Sequence, residues 1–540
     1  MRKDKSLWFL VVIIVLQCGT MFYWASQKAY YYIDELFTFE YVQNINNHKD
    51  SIEYIDDSPL WKVEEWLHVS DLKTRFTMEE GESVFDLPIS GSVKKLFFDR
   101  NYMWIINALE TVFGRGGPPK WICIGFNILV WIVFQLLLFF FLDSCLGFDR
   151  RTTLLAVIMW GFCPLVLGLS VYCRFYAWTL LLLLVVIVLH KLMWDGESHK
   201  QNIIYEAVAI FTLYLAFKNS ELIFVLGGAL VFFFTLGLIA RKRYCQALYY
   251  SAPLIGGGLF FIIEKSSLLS VILHPARFAA KEIGAAALHT DFLINTSWVE
   301  KANSLKHSIK SFSDSVPGSV ETTLIIILLG LVLYLSVRRK ANLRLGGFSM
   351  ILIAIAFVYW LFCGLCGFLE TRYNSFLFLL IFILAWSFFD VMVKCHRSPE
   401  TVYKIAACIV IVVAVMPFYR RNVQYVYEWL EPSIERIHEY GDLKSVVNYD
   451  PAYNYNVYYS TSLLKESSLI YPVCQNTSDG ILPDLPDTFL YWETYYWSPE
   501  ETLNLIKEAG YTTDLMYDAG LALVYLCQKN EKTPESVLSL

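Results

Sequence analysis

The chain has 540 residues, of which 56% are hydrophobic, 16% aromatic and only 17% charged, with a net charge of −6 and a mean hydropathy of +0.45. Soluble proteins carry about 25% charged residues, so this composition excludes an ordinary soluble globular protein. The acidity is concentrated: residues 28–100 hold 15 Asp/Glu against 8 Lys/Arg, and residues 419–540 hold 18 against 8. That balance argues against nucleic acid as a partner, because binding a phosphate backbone requires a basic surface.

Apolar runs of roughly 17–25 residues can cross a ~30 Å hydrocarbon core as helices. In chain order they fall at 7–25, 121–142, 153–172, 176–190, 203–217, 221–240, 247–263, 320–337, 348–368, 374–392 and 403–418. The reading is a mostly α-helical polytopic membrane protein with about 11 transmembrane helices. The first run lacks a small-x-small cleavage site and reads as a retained helix. The 176–190 and 203–217 runs are short for a full crossing. Runs 203–217 and 221–240, separated only by Lys218-Asn-Ser220, are compatible with one kinked unit.

Basic residues set the orientation. Arg2-Lys3, Arg150-Arg151, Lys191 to Lys200, Arg241-Lys242-Arg243, Arg338-Arg339-Lys340 and Lys394 to Lys404 all fall on one side of an eleven-span arrangement. That side is expected to be the cytoplasm, with the N-terminus cytoplasmic, the C-terminus extracytoplasmic, and a bacterial inner membrane as the location. The domains are then a transmembrane part, 1–418, with outer loops at 26–120 and 264–319, and a small extracytoplasmic C-terminal α/β or α+β domain, 419–540. Within the first outer loop, 101–113 is too short and too polar to span. Its Ile105, Leu109, Val112 and Phe113 share one helical face, which suits a helix lying in the interface. In the C-terminal domain, Val446–Tyr449 and Tyr455–Tyr459 read as strands, and Ser498–Ala509 and Ala519–Leu526 as helices.

Several candidate functional residues fall on the outer side. Asp34-Glu35 follows the first span. Gly114-Arg-Gly-Gly-Pro-Pro-Lys120, with Arg115 and Lys120, precedes the second. Arg174 stands in Tyr172-Cys-Arg-Phe-Tyr-Ala177, and Glu370-Thr-Arg-Tyr373 precedes a late span. An acid that activates a hydroxyl, together with basic residues that grip a phosphate, suits transfer from a phospholipid-type donor. Asp34 is the candidate base, and Glu35 a neighbour that orients a group or a cation. On a helix, adjacent acids point about 100° apart, so one of the two faces a pocket. Arg372 is the leading phosphate ligand because its planar fork matches phosphate; Arg174, Lys120 and Arg115 follow. Glu221 and Tyr373 are candidates for the cavity wall. For Asp34 the plain alternative is a solvated acid at a helix start, and for Arg372 an ion pair with Glu370.

In order, spacing and sidedness these motifs resemble the GT-C superfamily of polytopic glycosyltransferases, and within it the protein O-mannosyltransferase and aminoarabinose-transferase type. The resemblance rests on Asp34-Glu35 in the first outer loop, Gly117-Pro118-Pro119-Lys120 at the second span, Arg174-Phe-Tyr-Ala177 opening a later span and Arg372-Tyr373 opening another, over about residues 1–420. It departs at Gly117, where relatives carry histidine, and at Cys173, where relatives often carry an acid. The resemblance implies a polyprenyl-phosphate sugar as donor, Asp34 as base, inversion at the sugar, and transfer at the non-cytoplasmic face to a glycan, lipid or protein acceptor. It also leaves room for a divalent cation, although the sequence itself shows no metal-binding cluster. A transporter or flippase, or a ligase or polymerase of lipid-linked saccharides, is the competing class. A transporter tends to show paired internal repeats, and none stands out. Finally, Cys474 and Cys527 are the only cysteines of 419–540 and are candidates for a disulfide.

Overall fold

The computed structural model describes residues 5–46, 65–73, 78, 80–98, 100–114, 119–196, 198–264, 292–315, 346–368, 370–394, 398–449, 455–474, 484–494, 501–518 and 522–530. The described chain divides into two compact units. The first comprises 1–26, 97–102 and 124–424; the second comprises 27–96, 103–123 and 425–540.

The first unit is helical, as its apolar runs require. Among the described residues seven helices are long and apolar enough to cross a membrane, making the chain an integral membrane protein: Ser6–Ser26, Lys120–Cys145, Tyr176–Asp195, Leu222–Ala240, Gly347–Leu365, Thr371–Lys394 and Pro399–Arg420. The expected eleven are not confirmed by the described residues. An eighth crossing exists if the pair Arg150–Phe162 and Pro164–Val171, bent by 50°, counts as one. The single span expected at 153–172 is therefore broken. Pro164 opens the second piece, and Cys163 before it is extended at φ −70° and ψ 149°. A residue preceding proline is driven out of the helical region, while proline itself is well placed in a first helical turn. Helices His199–Asn219 and Tyr244–Glu264 cover two more expected spans without being among the seven. The 203–217 and 221–240 runs form separate helices, parted at Ser220, whose backbone is extended. The run at 320–337 lies outside the described residues. Tyr176–Asp195 is 20 residues long, enough for a full crossing despite its shorter apolar run.

Aromatic packing holds these helices together. Trp160 lies against Phe382 at 4.7 Å and stacks on Phe134 at 5.9 Å, joining helix Thr371–Lys394 to two helices more than 200 residues earlier. Buried His190 is satisfied at both nitrogens, by Val186 O and by Tyr250 Oη, each at 2.7 Å.

The second unit is built on a six-stranded mixed sheet of order β1-β3-β2-β4-β6-β5. Its strands are β1 Leu67–His68, β2 Ser445–Tyr449, β3 Leu469–Cys474, β4 Thr488–Thr494, β5 Tyr511–Asp518 and β6 Ala522–Lys529. β2 runs parallel to β3 and β4; the other pairs are antiparallel. The short β1 comes from the segment between the first two apolar helices. The stretch expected as a strand at Tyr455–Tyr459 is instead the helix Tyr455–Leu463. Parallel neighbours β2 and β3 need a crossover between them, and a helix is the usual one. The helix expected at Ala519–Leu526 is instead β6. Its Ala522, Val524 and Cys527 are buried, and the strand pairs on both sides. Helix Glu501–Glu508 stands within the expected 498–509 and packs Leu503 and Ile506 onto the sheet beside Val446 and Phe489.

This order also overturns the disulfide candidate. Two strands separate β3 from β6, so Cys474 and Cys527 lie at least about 14 Å apart across the sheet, whereas a disulfide needs Cα atoms within about 7 Å. Cys527 is a free, buried thiol, pushed up to about 12 by burial.

Candidate functional site

In the second unit, helix Ile33–Gln43 starts after the extended Tyr32 and carries Asp34 and Glu35 in its first turn. The two acids have different surroundings. Glu35 is fully buried: its Oε2 pairs with Lys28 Nζ at 3.0 Å and accepts from the Tyr32 backbone N–H at 2.7 Å. It thereby caps its own helix and neutralises a lysine that is itself fully buried. Asp34 is half-buried, and its backbone carbonyl accepts from Thr38 Oγ1 at 2.9 Å. The pair is thus split as helical geometry requires, with Glu35 committed to structure and Asp34 the acid with access to solvent.

Lys28 is a residue that sequence reasoning missed. Its ammonium also donates to the Tyr425 carbonyl and lies 5.6 Å and 5.4 Å from the ring centres of Tyr31 and Tyr427. Tyr425 and Tyr427 hold left-handed backbone conformations, at φ 64° and 59°. Such positions cost about 1–3 kcal/mol each and persist where their surroundings over-determine them. Here those surroundings are the Lys28 bond and the Ala29 N–H to Val426 O bond of 2.9 Å. Lys120 Nζ donates to the Lys28 carbonyl at 3.1 Å and lies over the Trp121 ring at 5.2 Å. Expected as a phosphate ligand, Lys120 serves this same segment. Arg115 lies outside the described residues.

In the first unit, two of the motifs converge. The break at Cys163–Pro164 leads into helix Pro164–Val171, which ends at Tyr172; helix Tyr176–Asp195 starts four residues later. Helix Thr371–Lys394 brings in Arg372 and Tyr373. Arg372 is 4% exposed, Nη1 donates to Tyr172 Oη at 2.6 Å, and Nη2 donates to Tyr373 Oη at 3.2 Å. Arg372 Nε stands 2.7 Å from Glu370 Oε2. Tyr176 stacks on Tyr172 at 5.8 Å and meets Tyr373 edge-on at 6.3 Å. Tyr359 Oη donates to the Tyr373 carbonyl at 2.9 Å. Arg174, buried to 8% exposure, lies over Phe175 at 5.1 Å, and Phe175 stacks on Tyr176. Arg174, Tyr373 and Arg372 therefore share one tyrosine framework. Tyr172, which holds Arg372 across 200 residues of sequence, was not singled out in advance. Glu221 is exposed at the turn before helix Leu222–Ala240, where its backbone carbonyl accepts from the Phe224 N–H at 2.9 Å.

Among the described residues the fit for a divalent cation is poor: no group of three His, Cys, Asp or Glu could hold a metal ion, and Glu35 is already committed to Lys28.

No family profile and no curated protein sequence matches the chain. Among solved structures it is similar to ArnT from Cupriavidus metallidurans bound to undecaprenyl phosphate, at 10% identity over 96% of this chain and 98% of that one, with a TM-score of 0.48. It is also similar to the Archaeoglobus fulgidus oligosaccharyltransferase in complex with Zn and sulfate, at 11% identity over 78% of this chain and 64% of that one, with a TM-score of 0.38.

Proposed function

We propose that the protein is a GT-C-type inverting glycosyltransferase that moves a sugar from a polyprenyl-phosphate donor to an acceptor hydroxyl at the extracytoplasmic membrane face. In this reading the N-terminus is cytoplasmic, the transmembrane part runs to about residue 418, and 419–540 is extracytoplasmic. The observation that carries the reading is the Arg372 cluster. A buried guanidinium at the head of an apolar helix, set among tyrosine hydroxyls, suits an anion tethered to a hydrocarbon chain. A buried arginine at a membrane rim is costly unless it meets an anion, which makes it a functional candidate by default.

The mechanism assigned to these residues is short. Arg372, with Arg174 on the same aromatic framework, steadies the donor phosphate as negative charge develops on it. Asp34 takes the proton of the acceptor hydroxyl. The acceptor oxygen bonds to the anomeric carbon from the face opposite the phosphate, the bond from that carbon to the phosphate oxygen breaks, and the electron pair leaves with the polyprenyl phosphate. The leaving group needs no proton, so one carboxylate suffices, unlike the two that glycoside hydrolysis uses. Glu35 acts indirectly, by fixing the helix that carries Asp34. The donor tail lies among membrane lipids, and the acceptor is a glycan, lipid or protein hydroxyl.

Donor kinetics test this. Arg372→Ala is expected to raise donor KM and lower turnover together, and Arg372→Lys to recover only part of the loss, because a point charge replaces a bidentate fork. Wild-type kinetics in both variants would remove Arg372 as the phosphate ligand.

A further inference from the structure

Glu370 is the residue whose placement the transfer chemistry leaves unexplained. Its Oε2 stands 2.7 Å from Arg372 Nε, on the guanidinium assigned to the donor phosphate. A carboxylate and a phosphate compete for the same fork, and two anions side by side repel. We propose that Glu370 is the resident counter-ion of the phosphate subsite and is displaced when the donor phosphate binds. This rests on the reading of Arg372 as the phosphate ligand.

Three observations favour displacement over permanent pairing. The first is the unequal burial of the pair: the side chain of Arg372 is 5% exposed and that of Glu370 48% exposed. The arginine needs an anion because its charge is out of water, while the glutamate regains hydration easily when it turns away. The second is the quality of the contact. It is a close ion pair without the alignment of a hydrogen bond, whereas both tyrosine contacts of Arg372 are aligned hydrogen bonds. The tyrosines hold the guanidinium in place without the carboxylate.

The third is the backbone. The Glu370 carbonyl accepts from the Tyr373 N–H at 3.1 Å, the Asn374 N–H at 3.2 Å and Asn374 Nδ2 at 3.1 Å. The main chain at 370 is therefore pinned to the first turn of helix Thr371–Lys394, and the carboxylate can leave by side-chain rotation alone. The vacated place lies at that helix's N-terminus, where the helix dipole favours an incoming anion. In the empty site Glu370 keeps the buried arginine neutralised; in the loaded site the phosphate takes over that task. Part of the donor's binding energy goes into the exchange, so Glu370 sets donor affinity and favours ligands that carry an anionic head group.

The test is equilibrium binding of geranylgeranyl monophosphate and of geranylgeraniol to the full chain in detergent, for wild type, Glu370→Gln, Glu370→Ala and Arg372→Ala. Thermal unfolding of each variant establishes that it is folded. The expected result is that Glu370→Gln and Glu370→Ala bind the monophosphate roughly three- to tenfold more tightly, the order of one partly screened ion pair removed from competition. Neither should change affinity for the neutral alcohol, and Arg372→Ala should weaken the monophosphate alone. Unchanged or weaker monophosphate binding in the folded Glu370 variants, with Arg372→Ala still weakened, overturns the displacement and leaves the phosphate reading standing. Equal tightening of phosphate and alcohol also overturns it, since that would mark a change in cavity shape. Unchanged binding in Arg372→Ala overturns the phosphate reading, and the displacement with it.

Discussion

Glu110 gives the second unit a pH dependence whose sign is fixed by its surroundings. It lies on helix Asn101–Phe113, and its Oε1 accepts from Gln43 Nε2 at 2.6 Å. Gln43 closes the helix that carries Asp34 at its other end. Glu110 Oε2 is buried and has no hydrogen-bond partner among the described residues. Burial pushes the carboxyl up to about 7, and the Gln43 hydrogen bond offsets this only in part. In the unfolded chain the group titrates near ~4.3. Below about pH 4 both states hold the proton and Glu110 costs nothing. As pH rises from about 4.3 to 7 the unfolded chain ionises first, so stability falls, and above about 7 the full penalty is present. Between pH 5 and 8 the loss amounts to about 2.5 kcal/mol. Glu110→Gln removes the titration and keeps an acceptor for Gln43, but puts an amide N–H where Oε2 stands, at about 1–3 kcal/mol for an unpartnered buried donor. The two stability curves should therefore cross, with wild type ahead near pH 5 and the variant ahead near pH 8. Thermal unfolding of the detergent-purified chain across that range is the assay. Parallel curves for the two proteins would refute the reasoning.

Glu35→Gln leaves the fully buried Lys28 without its counter-charge and should cost about 3–5 kcal/mol of stability, read as a lowered melting temperature. Asp34→Asn should leave melting within about 0.5 kcal/mol of wild type while cutting sugar transfer by about 10²-fold or more; the opposite pattern would exchange the roles of the two acids. Alkylation of the unfolded chain without reductant should modify both Cys474 and Cys527, and protection of the two as a pair would contradict the strand order. Removing Tyr172 Oη, as Tyr172→Phe, withdraws the hydroxyl that Arg372 Nη1 meets at 2.6 Å. About 1–3 kcal/mol is expected from that loss, seen as a weaker response of donor KM to the arginine itself. Unchanged donor kinetics would show that the hydroxyl does not position it.

The apolar helices were legible because a hydrocarbon solvent leaves few alternatives: a run such as 374–392 has to satisfy its backbone internally. The helix at 101–113 was legible too. Val112 and Phe113 stay exposed, while Tyr102, Met103 and Ile106 turn inward. What hydropathy does not report is direction within a run, so the break at Pro164 inside an apolar stretch read as one continuous span. In the C-terminal part, local pattern and topology pulled apart. Tyr455–Leu463 alternates like a strand but is the crossover between two parallel strands, and Ala522–Lys529 carries helix formers but is paired on both sides. The seven-residue spacing of Lys28 and Glu35 resembles two turns of a helix, yet Lys28 lies outside the helix, which starts only after the extended Tyr32. Tyr172 and Arg372 are joined only by tertiary packing, which a single sequence does not display. The arginines and the acidic pair could be named in advance because buried or rim charges are scarce in such a chain; their partners could not.

The central claim is that this protein transfers a sugar from a polyprenyl phosphate, with Asp34 as base and Arg372 on the phosphate. The most direct measurement is release of polyprenyl phosphate from a panel of polyprenyl-phosphate sugars by the purified chain with a membrane extract as acceptor, run beside Asp34→Asn and Arg372→Ala. The account predicts release by wild type with at least one donor, about 10²-fold or more slower release by Asp34→Asn with donor binding retained, and weakened donor binding with slower release in Arg372→Ala. Equal release by wild type and both variants, or donor movement across the bilayer with no release at all, would contradict it.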